Sequence, residues 1–174
     1  MISSILVATV LSAMPLDIKG FSVSEPPKNL GAPVNSSSND FAPTLSPDGN
    51  FMIFNSNRGG KYQDLYIARL AEGKWSVPEP LAEVNSPYND ETPFLSPDGN
   101  TLVFSSDRDG SMEMPRNERG QIRVSFDLYV SRKVNGAWSR PVPLPGDINS
   151  EHHEKSPSLS NDGKTLYYNM WPFG

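Results

Sequence analysis

The sequence predicts an all-β chain of β-propeller blades, and three observations carry that expectation. The string LSPDG stands at Leu45 to Gly49 and Leu95 to Gly99 and returns as LSNDG at Leu159 to Gly163, each time inside a longer frame that repeats in order. The runs flanking it, FMIF, LVFSS and LYYN on one side and DLYIARL and DLYVSRK on the other, are short, β-branched and aromatic, as paired strands are. The 17 prolines fall around those runs, where each removes a backbone donor and excludes a helix interior. A period of about four short strands is the size of one four-stranded antiparallel blade. The chain is therefore expected to hold about three such blades of an incomplete propeller.

Each copy opens on an aromatic residue: FSVSEP at Phe21 to Pro26, WSVPEP at Trp75 to Pro80, and WSRPVP at Trp138 to Pro143. These read as outer strands. VNSSSND, VNSPYND and INSEHHE follow, and in all three copies the asparagine (Asn35, Asn85, Asn149) lies 13 residues before the turn residue Asp48, Asp98 or Asp162. In Pro-Asp-Gly the proline presets a backbone angle, the aspartate bonds the backbone that follows, and the glycine accepts a positive φ. These aspartates recur because the turn recurs, as do Asp64 and Asp127 of the DLY strands. Arg58 and Arg108 are expected to tie neighbouring strands together by pairing with Asp64 and Asp127.

The units run over 21–74, 75–137 and 138–174, after an N-terminal stretch of 1–20. The third stops at Gly174, aligned with Gly110, before its own DLY strand, and the abrupt stop suggests a piece of a longer polypeptide with open strand edges prone to self-association. Arg58 and Asp64 are close in sequence, whereas SMEMPRNERGQIRVSF separates Arg108 from Asp127. This insert, near 111–126, should project from one end of its blade as a long hairpin. Ile2 to Met14 is uncharged, too short to span a bilayer and suited to the apolar part of a secretory signal, although it lacks a positive leader. Positions 10–16 alternatively align with the DLY strand of a preceding blade.

A net charge of −5 with 36% hydrophobic and 20% charged residues is an ordinary soluble composition without a basic field, which argues against a nucleic-acid partner and a membrane span. The absence of cysteine excludes disulfides, thiolate metal sites and a cysteine nucleophile. No G-x-S-x-G, H-E-x-x-H or Gly-rich phosphate loop occurs, so no catalytic, cofactor or metal residue is assigned.

W-S-x-P-x-P, N-S-x-x-x-D/E, P-x-L-S-P-D-G-x-x-L-x-F-S-S-x-R-x-G and D-L-Y in this order resemble the TolB-type, WD-repeat-like propeller repeat of bacterial envelope proteins, over nearly all of Phe21 to Gly174. The resemblance implies export to the periplasm or cell envelope and contact with a protein or peptidoglycan-associated partner. It brings no catalytic residue. The third copy departs from the pattern, with Asn161 for Pro47 and Pro97, and Met170, Trp171 and Pro172 for Ser106 to Arg108.

Four candidate sites stand beside plain structural readings. Glu151, His152, His153 and Glu154 invite a metal, yet neighbours on an extended segment point to opposite faces, and the equivalent SPYND has no histidine. Asp107, Asp109, Ser111 and Glu113 alternate like calcium ligands, but lack the loop glycine of a helix-loop-helix site; Asp107 is instead expected to bond its own turn backbone. Trp75 and Trp138 are expected to pack between blades, with an aromatic platform for sugar or peptide as the alternative. Arg116, Arg119 and Arg123 of the insert, with Met112 and Met114, form an exposed loop that breaks the repeat, the place where a rigid scaffold tends to carry function. The expected role is a non-catalytic binding or scaffold module of the envelope. The alternatives are the non-catalytic propeller of a larger hydrolase, such as a peptidase, and a carbohydrate-binding or sugar-active propeller.

Overall fold

The computed structural model describes residues 6–7, 28–114, 116, 118–121, 123–145 and 147–171, and every helix or strand among them is a strand. Of the Ile2 to Met14 stretch only β1 (Leu6–Val7) is described, paired with β2 (Lys28–Asn29). The expected signal otherwise, the strand at 10–16 and FSVSEP lie outside the described residues.

The first sheet consists of β3 (Asp40–Leu45), β4 (Phe51–Ser56), β5 (Asp64–Ala71) and an outer strand in two pieces, β6 (Lys74–Trp75) and β7 (Glu79–Pro80), both paired with β5. The second repeats it with β8 (Asp90–Leu95) and β9 (Thr101–Ser106), then the insert strands β10 (Glu113–Met114) and β11 (Arg123–Val124), then β12 (Asp127–Val134), β13 (Ala137–Trp138) and β14 (Val142–Pro143). β15 (His153–Leu159) and β16 (Leu166–Trp171) begin a third. All pairings are antiparallel, and the fold is an all-β, incomplete propeller. Trp75 and Trp138 close the sheet that precedes them, so the sequence period runs one strand out of phase with the sheets. Pro78 and Pro141 fall in the gaps of the outer strands, the edge position a residue without an N–H tolerates.

Local chemistry sets each turn. Asp48 accepts from Ser46 Oγ at 2.6 Å and from the Asn50 N–H at 3.1 Å, while Gly49 takes φ 72°. Asp98 and Asp162 make the same bonds. At the next hairpin Asn135 and Gly136 both have positive φ, 51° and 84°, the twist-matched type I′ form. The inner strands carry a feature that the sequence reading missed. Ala42, Thr92 and Ser156 stand at φ 52°, 49° and 54°, each before a proline and inside a register shift of its strand. A proline within a strand run signals such a bulge. Here the bulges join the sheets: the Thr92 N–H donates to Asn55 Oδ1 at 3.1 Å, and Thr92 Oγ1 accepts the Ser156 N–H at 3.2 Å.

Strands buried on both faces read as continuous apolar runs, as FMIF and LVF do. Ile53, Leu65 and Ile67 of the first sheet pack on Leu102, Phe104 and Tyr129 of the second, with half-buried Trp138 and Phe51 at the margin. Trp138 thus sits between sheets. Trp75 holds the same place on the opposite face of the first sheet, against Met52, Phe54 and Tyr66.

The recurring polar residues converge at the end of each sheet opposite the Asp-Gly turns. Arg108 donates to Asp90 at 2.5 Å and to the Val84 carbonyl at 2.9 Å, and its guanidinium lies 5.0 Å and 4.8 Å from the ring centres of Phe104 and Tyr129. Ser86 bonds the other carboxylate oxygen through its N–H and hydroxyl. Arg58, Asp40, Val34, Ser36, Phe54 and Tyr66 repeat the cluster. The arginine partners are therefore Asp40 and Asp90, correcting the expected pairing with Asp64 and Asp127. The inner-strand acid lies across the sheet where a guanidinium stacked on the Phe-Tyr pair can reach it, whereas the DLY acid turns elsewhere. Burial opposes the Asp40 carboxylate, yet hydrogen bonds from Ser56, Arg58 and Ser36 outweigh it and hold the group below its ordinary value. The Asn-Ser motif anchors the connection: Asn85 and Asn149 bond both the N–H and the C=O of Leu65 and Leu128 through their side-chain amides.

Removing one partner of a buried pair leaves the other charge stranded, at about 3–5 kcal/mol. Arg108→Met keeps the stem but strips the charge, so urea unfolding should show a loss of that size, largely recovered on adding Asp90→Asn. A loss under about 1 kcal/mol would place the clamp with exposed surface pairs instead.

Candidate functional site

With the recurring residues occupied in holding sheets, three features remain at the clamp end: the insert, a pocket beside Trp138, and the Glu151 to Glu154 segment. The insert is a built hairpin. Glu113 pairs with Val124 and Met114 with Arg123. Its base is anchored where Asp127 accepts the Met112 N–H at 3.0 Å and the Ser125 hydroxyl, while the Ser125 N–H donates to the Met112 carbonyl at 2.9 Å. Ser111 Oγ adds a contact at 3.0 Å to Tyr129 Oη. Asp127 is thus the hairpin's anchor; burial pushes its carboxyl above the ordinary value against those two bonds. Burial, then the charge of Asp90, pushes Asp64 up as well.

Arg116, Arg119 and Arg123 are exposed, as is Met112. Arg116 donates to the Gly120 carbonyl at 2.7 Å and closes the tip. Met114 departs from the expectation: it is buried, so it does not present itself to a partner.

The pocket has a volume of about 600 Å³ and lies between the 83–88 connection and the outer strand of the second sheet. Tyr88, Arg108, Asp109, Trp138 and Arg140 supply its aromatic and charged lining. Tyr88 Oη donates to Asp109 at 2.7 Å. Asp107 does not bond its own turn as expected. Both its oxygens accept from Asn89, at 2.8 Å from the N–H and 3.0 Å from the side-chain amide, because the preceding connection runs directly alongside. Asp107, Asp109 and Ser111 therefore each have a separate protein partner. Among the described residues, no group of three or more His, Asp or Glu side chains is placed to hold a metal ion.

The histidine segment is explained by position. His153 stands where Asn89 stands in the previous copy, and its Nδ1 accepts the Phe126 N–H at 3.0 Å as Asn89 Oδ1 accepts the Gln63 N–H at 3.2 Å. Burial, then the charges of Lys155 and Arg123, lowers the ring's pKa, with Asp107 pulling the other way. Glu154 stands where Asp40 and Asp90 stand and keeps the serine partner, Ser150, through both N–H and hydroxyl. At the arginine's place the sequence has Pro172. Glu154 is fully buried, and no cation pairs with it among the described residues. Burial raises its pKa, Ser150 and His152 opposing and Asp127 assisting. Lys155 holds the third sheet to the second, 2.7 Å from Glu91 and 3.4 Å from the Phe126 ring centre.

No family model matches the sequence, and no curated protein matches it. Among solved structures the chain is similar to a putative TolB from Agrobacterium tumefaciens, with 23% identity and a TM-score of 0.51 over 80% of this chain and 46% of that one. A TolB from Acinetobacter baumannii aligns with 20% identity and a TM-score of 0.41, over 83% of this chain and 40% of that one. The chain thus spans less than half the length of either structure. The first likeness supports the TolB-like propeller fold.

Two pH responses follow. His153 must be neutral to accept the Phe126 N–H, so its contribution is complete above its ordinary value of 6.5 and is lost as pH falls through the lower folded value. His153→Asn restores the oxygen of the earlier copy; its melting temperature should match the parent near neutrality and exceed it increasingly in mild acid, and a parallel pair of curves would contradict this. Glu154 has the opposite sign. Its contribution is present below its ordinary 4.5 and lost as pH rises through the higher folded value. Glu154→Gln should therefore raise the melting temperature at neutral pH, with the gain shrinking towards acid.

Proposed function

We propose that this chain is a non-catalytic protein-binding or scaffold module of the bacterial cell envelope, exported to the periplasm, whose contact site is the insert hairpin. The observation that carries the reading is a hairpin, anchored by Asp127, Ser125 and Ser111, standing out from a scaffold whose other motif residues serve sheet packing. Arg116, Arg119 and Arg123 with Met112 offer a cationic, partly apolar surface, suited to an acidic protein face or to the carboxylates of peptidoglycan-associated material. The likeness to TolB-type propellers supports the envelope setting. The same blades would serve equally as the non-catalytic propeller of a larger hydrolase.

The carbohydrate reading has one observation in its favour, the pocket lined by Trp138, Tyr88, Asp109 and Arg140, since aromatic faces with polar neighbours suit sugar rings. Cosedimentation with purified sacculi and with solubilised envelope proteins separates the readings. Arg116→Glu, Arg119→Glu and Arg123→Glu together should abolish envelope-protein binding, while Trp138→Ala leaves that binding intact. The reverse pattern on sacculi, retained with the arginine variants and lost with Trp138→Ala, would favour sugar binding.

A further inference from the structure

The pocket beside Trp138 gathers groups that the equivalent place in the first sheet lacks. Its lining comes from the second sheet and from the 83–88 connection that enters it, and that sheet has all its strands. At the corresponding positions of the first sheet stand Ser38 for Tyr88, Gly59 for Asp109 and Val77 for Arg140, while Trp75 and Arg58 match Trp138 and Arg108. The structural members of the frame are therefore shared, and an aromatic hydroxyl, an acid and a base are added together around one hollow. Its volume of about 600 Å³ falls within the range of about 300–1,000 Å³ common to small-molecule sites.

The groups around the hollow have bonding capacity left over. Asp109 Oδ1 accepts the Tyr88 hydroxyl at 2.7 Å, which leaves Oδ2 to accept from a ligand. Arg140 is exposed, and among the described residues no acid pairs with it. The clamp arginine contributes too. Arg108 commits Nε to Ser106 and Nη2 to Asp90 and the Val84 carbonyl. Its Nη1, which in Arg58 lies 3.4 Å from the Pro33 carbonyl, donates to no group among the described residues. Glu83 also lines the hollow but is exposed, so water and salt screen its charge. Two guanidinium groups in one lining suit a carboxylate, and the free Asp109 oxygen suits a hydroxyl. Trp138, half-buried against the core of the two sheets, offers a fixed aromatic surface for a sugar ring.

We infer that this pocket binds an acidic saccharide, a sugar ring that carries a carboxylate. Arg140 and Arg108 Nη1 take the carboxylate, Asp109 takes ring hydroxyls, and Trp138 packs against the ring. The inference rests on the carbohydrate reading of this pocket and adds the charge that the sugar carries.

The full chain is titrated with methyl glucuronide and N-acetylmuramic acid, each beside a neutral counterpart, methyl glucoside and N-acetylglucosamine, and with sodium lactate. The readout is the Trp138 indole N–H resonance in nitrogen–proton spectra, identified by its loss in Trp138→Phe. At least one acidic sugar should shift that resonance saturably and bind about tenfold or more tightly than its counterpart. Arg140→Val, which installs the residue of the first copy, should remove the difference, and Arg140→Lys should restore part of it. Equal affinity within both pairs overturns the inference and leaves the carbohydrate reading standing. Lactate binding as tightly as the acidic sugars, or a preference that survives in Arg140→Val, overturns it as well. Absence of a saturable Trp138 shift with all four sugars overturns the inference and the carbohydrate reading together.

Discussion

The arginine clamp is the interaction on which the rest of the structure depends. One guanidinium, Arg58 or Arg108, touches four things at once: the carboxylate that opens the inner strand, a carbonyl of the connection from the previous sheet, the phenylalanine of the second strand and the tyrosine of the third. Arginine suits this because its planar head stacks on aromatic faces while its edge donates in plane. Three strands and the incoming chain are thereby brought to a common height, and the Asn85 amide then fastens the connection to Leu65. The recurring letters of the repeat are the parts of this one device.

The third copy shows what happens when the device is incomplete. Glu154 keeps the acid and Ser150 the hydroxyl, but Pro172 stands in sequence where the arginine would be. Burial then drives the carboxyl towards its neutral form, which lessens the cost of leaving it without a cation. The sheet is held instead by Lys155, which reaches across to Glu91 and the Phe126 ring, and by His153 in the place of an asparagine. Of the histidine pair that suggests metal chemistry on paper, His153 is therefore bound up in joining two sheets.

Because structure and repeat coincide so closely, candidates for function are found where they part. The insert departs in length, and the pocket beside Trp138 combines groups from two copies. Both stand on a scaffold whose inner-strand bulges hold Ala42, Thr92 and Ser156 at positive φ. The bulges at Thr92 and Ser156 aim a backbone N–H at the preceding sheet, which is a structural use of an unfavourable angle.

The sequence by itself determined the repeat, the strand character of its runs, the Asp-Gly turns and the place of the insert, because these depend on local backbone preference and on spacing along one chain. Tertiary structure decided what spacing cannot encode. Arg108 pairs with Asp90 and not with the DLY aspartate, and Asp127 serves the hairpin instead. Met114 turns inward although its neighbours suggest an exposed loop. Asp107 bonds Asn89 across a connection, and His153 replaces that asparagine in the third copy. In each case several acids or apolar residues were equally available along the sequence. The choice among them was made by which side chains the stacked sheets bring within hydrogen-bond reach once water is excluded between them.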